Sequence, residues 1–126
     1  MLIQRIGRNP SSVDLARIRG CQISVYGETT YFAATPDRPI DPKATVAIQT
    51  RQMLKRVDER LAMVGSDKSR ILFVHIMLAD IRFLIEMNEI WDAWVDQDNP
   101  PVRACVACGL ASPDLKVEIL VTAASG

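Results

Sequence analysis

Two charged residues interrupt apolar stretches near the carboxyl end of the chain. Arg103 lies in VRACVAC and Glu118 lies in VEILVTA, and both stretches are otherwise typical of strands. If the two strands pair as a hairpin around a four-residue loop, Cys105 faces Glu118 and Arg103 shares their side of the sheet, whereas a different loop register would separate them. An unpaired buried charge is costly, so Arg103 needs either Glu118, in an internal ion pair, or an anionic ligand.

Other residues with possible chemistry give weaker signals. Cys105 and Cys108 form a C-x-x-C pair, but residues i and i+3 of a strand point to opposite faces, so their sulfurs cannot meet or share a metal. His75 has no spacing to the cysteines that is typical of a metal site, and we interpret it as a strand imidazole satisfied by a hydrogen bond. Asn88 lies off the apolar stripe of its predicted helix and could reach the rim of a site. We therefore predict no metal site.

Periodicity and turn residues predict the elements in the first half of the chain. Residues 17–26 and 29–35 predict a β-hairpin, and a short strand at 2–6 precedes it. Residues 42–64 predict an amphipathic helix, because apolar residues recur at spacings of three and four. Asp41 is its predicted N-cap, with proline at the first helical position.

The second half of the chain predicts one more helix and three more strands. Residues 70–78 are apolar on both parities, which is typical of a strand covered on both faces. Asp80 then caps a helix that ends before a Pro-Pro pair, since proline cannot continue a helix. The last two predicted strands are residues 102–108 and 116–123.

The order of elements is therefore β, β, β, α, β, α, β, β. It predicts an α/β (α+β) fold as a single domain over residues 1–126, with a mixed six-stranded sheet and two helices on one face. The other face is not polar, because residues 71–78 and 117–121 carry apolar side chains on both parities. A large apolar patch usually marks an interface, so we predict a homo-oligomer joined through sheet faces or edges.

Composition narrows the classes of function. The chain has 126 residues and a formal net charge of zero, and binding to phosphate backbones usually requires a basic surface, so a nucleic-acid partner is unlikely. No apolar run approaches the length that crosses a bilayer, so we predict no membrane partner. The amino terminus lacks the apolar core of an export signal, and three cysteines cannot all pair within one chain. These features predict a reduced, cytoplasmic protein.

The stretch PVRACVACGLASPDLKVEI resembles the signature of the Rid family, the reactive intermediate deaminases that are also called the YjgF family. IQT at 48–50, a glycine after the first helix, MNEIW at 87–91 and NPPVR follow in the family's order, so the resemblance spans nearly the whole chain. In detail GSDKSRIL, LAD, MNEIWDAWV, PVR and LKVEI resemble the YoaB-like branch.

This resemblance implies a chorismate-mutase-like fold that assembles as a homotrimer, with ligand clefts between neighbouring subunits. It also implies hydrolysis of enamines and imines such as 2-aminoacrylate to the 2-keto acid and ammonia, without cofactor or metal. Carried over residue by residue, Arg103 holds the carboxylate of a small-molecule substrate, Cys105 lines the pocket within the catalytic set, and Glu118 positions or activates water. A planar guanidinium suits this role, since it binds a carboxylate with two parallel hydrogen bonds.

Two positions depart from the family's pattern. A tyrosine of the family aligns with Gly20, and the serine of the family's Ser-Gly pair aligns with Ala33. We predict that Ala33 and Asn88 are substrate-binding positions. Two pocket hydroxyls are therefore missing, which leaves the substrate and the rate open. Three hypotheses follow: a deaminase, a non-catalytic binder of 2-keto acids, and the ribonuclease activity with which some family members have been labelled. Zero net charge and the lack of a His-based acid-base pair weigh against the last.

Overall fold

A computed structural model describes residues 1–7 and 20–126, which contain six strands and two α-helices. The strands are β1 (Ile3–Ile6), β2 (Ile23–Tyr26), β3 (Thr29–Ala34), β4 (Ile71–Leu78), β5 (Val102–Ala107) and β6 (Val117–Ala124). The helices are α1 (Val46–Met63) and α2 (Leu84–Trp94), and short 3-10 turns at Lys68–Arg70 and Ile81–Phe83 precede β4 and α2. The predicted order of elements and the α+β class are confirmed. Residues 17–19 of the predicted hairpin lie outside the described residues.

The strands form one mixed sheet in the order β1-β2-β3-β6-β4-β5. All neighbouring strands are antiparallel except β4 and β5, which are parallel and are connected through α2. The predicted hairpin between β5 and β6 is wrong, because β4 lies between these two strands. The physical reason is burial: β6 is apolar on both parities and takes an interior position, whereas β5 has exposed residues and forms an edge.

Helix α1 begins at Val46 rather than at residue 42. Thr45 is its N-cap, and its side-chain oxygen accepts a hydrogen bond from the backbone N–H of Ile48 at 3.2 Å. The predicted cap, Asp41, instead accepts a hydrogen bond from the backbone N–H of Lys43 at 2.9 Å and closes a turn before the helix. The prediction for Asp41 is therefore wrong because a local turn uses its carboxylate.

Asp80, the predicted cap of the second helix, caps the short turn before α2, whose own N-cap is Phe83 without a side-chain hydrogen bond. Asp80 accepts a hydrogen bond from the backbone N–H of Arg82 at 2.9 Å and caps the 3-10 turn that leads into α2. Hydrogen bonds from the side chain and backbone of Arg82 lower the pKa of Asp80 to about 2. The cap is therefore ionised throughout the neutral range.

Neither α-helix of the described residues has the length and apolar character that a membrane span requires.

The core lies between the sheet and the two helices. Helix α1 is held against the end of the sheet by Gln49, whose side chain is buried. Its Nε2 donates to the carbonyl oxygen of Asp114 at 2.9 Å, and its Oε1 accepts from the backbone N–H of Lys116 at 2.8 Å. The apolar core joins α1, α2, β4 and β6 through Met53, Leu54, Val57, Leu61, Val74, Ile76, Met87, Trp91, Ile119 and Val121.

The face of the sheet opposite the helices, which we call the open face, carries exposed apolar side chains. Their exposed fractions range from 40% to 66%, and they are contributed by four strands: Tyr31, Phe73, Val102, Val106 and Leu120. An apolar uncovered face is therefore confirmed. Such a patch on a protein of this size is typical of a surface that contacts another molecule.

Candidate functional site

Arg103 and Cys105 lie at the margin of the core, on the helix-covered face of β5. In the register of the sheet, Arg103 is opposite Val74 and Cys105 is opposite Ile76, and both partners are buried in the core. Because residues two apart on a strand share a face, both side chains point toward the helix layer. β5 is an edge strand, so the two side chains are only partly buried and remain accessible from the side.

The guanidinium of Arg103 lies over the indole ring of Trp91, with 5.6 Å between its Cζ and the ring centroid. This distance is in the range of a cation-π interaction. Within residues 1–7 and 20–126, the structure gives Arg103 no hydrogen bond to its side chain and no ion pair. The ring therefore holds the guanidinium while its N–H donors stay available to a ligand.

No spacing in the sequence indicated that Trp91 contacts Arg103. The Trp91 side chain is buried in the core. The missing signal was the parallel connection of β4, α2 and β5, which brings α2 beside the start of β5. A hairpin of β5 and β6 would not have indicated this neighbour for Arg103.

Glu118 lies on the open face of β6. It is opposite Met77 of β4, which is in turn opposite Val106 of β5. The prediction that Arg103, Cys105 and Glu118 share one face within the chain is wrong, because their registers place them on opposite faces and β4 separates their strands. This arrangement also excludes an internal ion pair between Arg103 and Glu118.

Ala33 joins Glu118 on the open face. It lies in β3 opposite Leu120, and its carbonyl oxygen accepts a hydrogen bond from the guanidinium of Arg60. Burial lowers the pKa of Arg60, and the neighbouring charge of Arg56 lowers it further.

Gly20, the position that aligns with the family's tyrosine, is exposed, and a Cβ added there would meet nothing within 4 Å.

The side-chain oxygen of Asn88 is buried and has no hydrogen-bond partner in the described part of the chain. Asn88 lies one turn before Trp91 on α2, the helix that contacts Arg103. Buried acceptors in native proteins nearly always have a partner. The Oδ1 of Asn88 is therefore an unusual buried acceptor that lacks a partner within the described residues.

The Cys105 thiol is poorly suited to be a nucleophile. Burial raises the pKa of the Cys105 thiol, and the nearby charge of Arg103 lowers it by a smaller amount. Since the thiolate is the reactive form, a raised pKa keeps Cys105 neutral near pH 7. Cys21, Cys105 and Cys108 are all free, and the described residues contain no cluster of three or more His, Cys, Asp or Glu that could hold a metal ion.

His75 lies on the open face, opposite Leu120 and Ala104. Its Nε2 is buried and has no hydrogen-bond partner among the residues described, so the predicted satisfied imidazole is not found at this nitrogen. His75 lines a shallow depression of about 370 Å³ together with aromatic and apolar side chains that include Tyr31 and Phe73. This depression belongs to the apolar open face rather than to the margin around Arg103.

The fold and the site define a small α+β protein with an accessible guanidinium at the margin of its sheet. Comparison with known families assigns it further: the sequence profile described as "Endoribonuclease L-PSP" matches residues 25–125. The chain belongs to this family, and a solved structure that it matches is described as a member of the YjgF protein family. The predicted membership of the Rid, or YjgF, family is confirmed.

Curated relatives and solved structures agree with this assignment. A "RutC family protein" of Haemophilus influenzae is 40% identical over 98% of each chain, and "RutC family protein YoaB" of Escherichia coli is 38% identical over 86% of this chain and 93% of that one. A YjgF family member from Neisseria meningitidis is 33% identical, with a TM-score of 0.85 over 100% of this chain and 97% of that one. A "putative translation initiation inhibitor" from Salmonella typhimurium is 35% identical, with a TM-score of 0.81 over 97% and 96% of the two chains. The resemblance to YoaB thus extends over most of the chain.

Proposed function

We propose that the protein hydrolyses reactive enamines and imines of the 2-aminoacrylate type to 2-keto acids and ammonia, in clefts between the subunits of a homotrimer. The observation that carries this proposal is the state of Arg103. Its guanidinium is partly buried, lies over a ring and has no anionic partner in the described residues. Such a group can bind a small carboxylate with two charge-assisted hydrogen bonds. The resemblance to the Rid family implies the same class of reaction.

A cleft between subunits is supported by the separation of the candidate residues. Arg103 and Cys105 lie on the helix-covered side of the edge strand, whereas Glu118 and Ala33 lie on the open face. Within one chain the sheet separates these two sets. A single site that uses both sets requires a second copy, whose open face meets the β5 margin of the first. The same contact would remove the exposed apolar side chains of the open face from water.

The proposed reaction begins with the carboxylate bound by Arg103. An enamine takes up a solvent proton on its β carbon and becomes an iminium ion, as an imine does by protonation on nitrogen, and its C=N carbon lies beside a water held by Glu118 of the partner subunit. As the water oxygen bonds to that carbon, Glu118 of the partner subunit accepts a water proton, and a carbinolamine forms. Glu118 of the partner subunit returns its proton to the nitrogen, the C–N bond breaks, and ammonia leaves as the hydroxyl group gives up its proton to solvent and becomes the carbonyl of the 2-keto acid.

Asn88 has a natural place in this scheme. Its unpaired Oδ1 can accept a hydrogen bond from the substrate nitrogen, which carries hydrogens in the imine, the carbinolamine and the leaving ammonia. Cys105 contributes a neutral lining beside Arg103 rather than a nucleophile. We place the reaction in the cytoplasm, where the three free thiols would stay reduced.

Capture of 2-keto acids without catalysis is the second candidate function. It uses the same Arg103, and it is favoured by Gly20 and Ala33, which supply no hydroxyl to the site. The description of the family profile as an endoribonuclease has less support from this chain. Its net charge is zero, and its one histidine lies on an apolar face of the sheet.

The test is an assay in which an amino-acid oxidase generates the imine and release of the 2-keto acid is followed over time. We expect the protein to accelerate release over buffer. Arg103→Ala should lower kcat/KM by roughly 10- to 150-fold, since charge-assisted hydrogen bonds contribute about 1.5–3 kcal/mol. Arg51→Ala, at an exposed arginine of α1, is the matched control and should leave the rate unchanged. Measurable binding of 2-keto acids without acceleration would favour the binder instead.

A further inference from the structure

We propose that Trp91 is the positioning residue that holds Arg103 in place for the substrate carboxylate, an inference that rests on the proposed function. The guanidinium lies over the Trp91 ring at 5.6 Å, and no acid of the described residues is paired with it. An arginine held by a carboxylate would lose both net charge and N–H donors to that partner. An arginine held by a ring face keeps its full charge and its donor edges.

The Trp91 ring is itself fixed on several sides. It is only 6% exposed, and the Trp94 ring packs against it with 5.5 Å between centroids and 47° between planes. The indole N–H of Trp94 donates to Oδ2 of Asp58 at 3.0 Å, which ties α2 to α1. The Nζ of Lys68 lies 5.3 Å from the centroid of the Trp94 ring on a further side. Of these two indoles Trp91 is the one that contacts Arg103, and its burial in the core holds its ring in place.

A rigid support matters because the free arginine side chain has many rotamers. Holding the guanidinium before the ligand arrives removes part of the ordering cost of binding. This effect acts on the affinity for the carboxylate and acts equally in the ground state and the transition state. Loss of the support should therefore raise KM and the dissociation constant, and change kcat little.

Two substitutions of Trp91 separate positioning from packing. Trp91→Leu fills the core with an apolar side chain but removes the ring face, whereas Trp91→Phe keeps a ring. We expect the dissociation constant for pyruvate, measured by isothermal titration calorimetry, to rise roughly 3- to 30-fold in Trp91→Leu and to stay within about threefold of wild type in Trp91→Phe. Trp94→Leu is the matched control. It removes the neighbouring indole, which does not contact Arg103, and should change pyruvate affinity less than about twofold even where it lowers the melting temperature.

A spectroscopic measurement makes the test independent of the Trp91 variants. The chain has only two tryptophans, so in Trp94→Phe all indole emission comes from Trp91. Pyruvate that binds the guanidinium above this ring should change the emission, with the same dissociation constant that calorimetry gives. An emission that does not change at saturating pyruvate would overturn the positioning role.

The outcomes distinguish this inference from the proposed function. If Arg103→Ala abolishes pyruvate binding and Trp91→Leu leaves it unchanged, the role of Trp91 alone is overturned. The role of Trp91 is also overturned if Trp91→Leu and Trp94→Leu lower the melting temperature equally and neither changes KM. Wild-type protein that neither binds pyruvate nor accelerates imine hydrolysis overturns both proposals.

Discussion

The use of Arg103 in a site depends on the geometry around its guanidinium, which presents its N–H donors in a fixed planar fork. In residues 1–7 and 20–126 its guanidinium has a ring as a neighbour and no paired acid. Glu118 is the complementary residue, since a carboxylate can hold and deprotonate water but repels an anionic substrate. Their separation on the two faces of the sheet keeps the two charges from neutralising each other within one chain.

Replacing Glu118 by glutamine tests its role on water. We expect Glu118→Gln to lower kcat by about 100-fold, a typical contribution of a general base, and to change the dissociation constant for pyruvate by less than about twofold. Steady-state kinetics and calorimetry on the same preparation measure the two effects. The control is Glu28→Gln, at an exposed glutamate in the turn between β2 and β3. Equal losses of rate and affinity would instead assign Glu118 a structural role.

Cys105 provides a test through its thiol chemistry. Burial raises the pKa of the thiol, so its thiolate fraction is small at pH 7 and increases as the pH rises toward that pKa. We expect Cys105 to react with a disulfide reagent more slowly than the exposed Cys21 and Cys108. Cys105→Ala should keep kcat within about threefold of wild type, since no covalent step uses the thiol. A loss beyond 100-fold would contradict this assignment.

At the scale of elements, α1 and the end of the sheet are joined by one buried side chain. Gln49 satisfies the carbonyl of Asp114 and the backbone N–H of Lys116. Gln49→Leu leaves both groups without a partner, and we expect the free energy of unfolding to fall by about 2–4 kcal/mol, as measured by denaturation at fixed protein concentration. The control is Gln52→Leu, which loses an exposed hydrogen bond to the backbone N–H of Asp37 and should cost less than about 1 kcal/mol. Equal effects of the two variants would contradict the role of Gln49.

The elements themselves could be predicted because their signals are local. Apolar periodicity located both helices, and strand-forming residues located the strands. The start of α1 was missed because Asp41 and Thr45 are both good caps, and only the turn at Lys43 shows which one is used. The pairing of β5 was missed for a different reason. A hairpin is the local solution for two consecutive strands, whereas the insertion of β6 between β3 and β4 depends on contacts that are distant in sequence.

At the scale of the whole molecule, the open face gives the sharpest prediction for assembly. Leu120 lies near the centre of this face and is 41% exposed in the single chain. We expect Leu120→Lys to prevent assembly, because a contact between copies would bury an unpaired charge. Size-exclusion chromatography with light scattering should show a smaller particle than wild type. Ile85→Lys is the control, since Ile85 is 75% exposed on α2 and outside the open face. Assembly of Leu120→Lys at the wild-type mass would contradict the proposed interface.

The candidate site could be predicted only in part. The identities of Arg103 and Glu118 follow from single charges in apolar strands, which is a local signal. Their relative positions do not, because the face of each residue depends on strand register and a site that uses both faces depends on a second copy. The sequence of one chain carries no direct signal for the strand register or for the contact with a second copy.

Complementation between subunits tests the central claim most directly. Subunits with Arg103→Ala and subunits with Glu118→Gln are each expected to have little activity, and they are unfolded together and refolded in equal amounts. If each cleft uses Arg103 of one subunit and Glu118 of the partner subunit, about one cleft in four is intact after random mixing. We predict recovery of about a quarter of the wild-type rate in the mixed sample. A rate that stays at the level of the two parents, in mixed oligomers confirmed by mass spectrometry, would contradict the account.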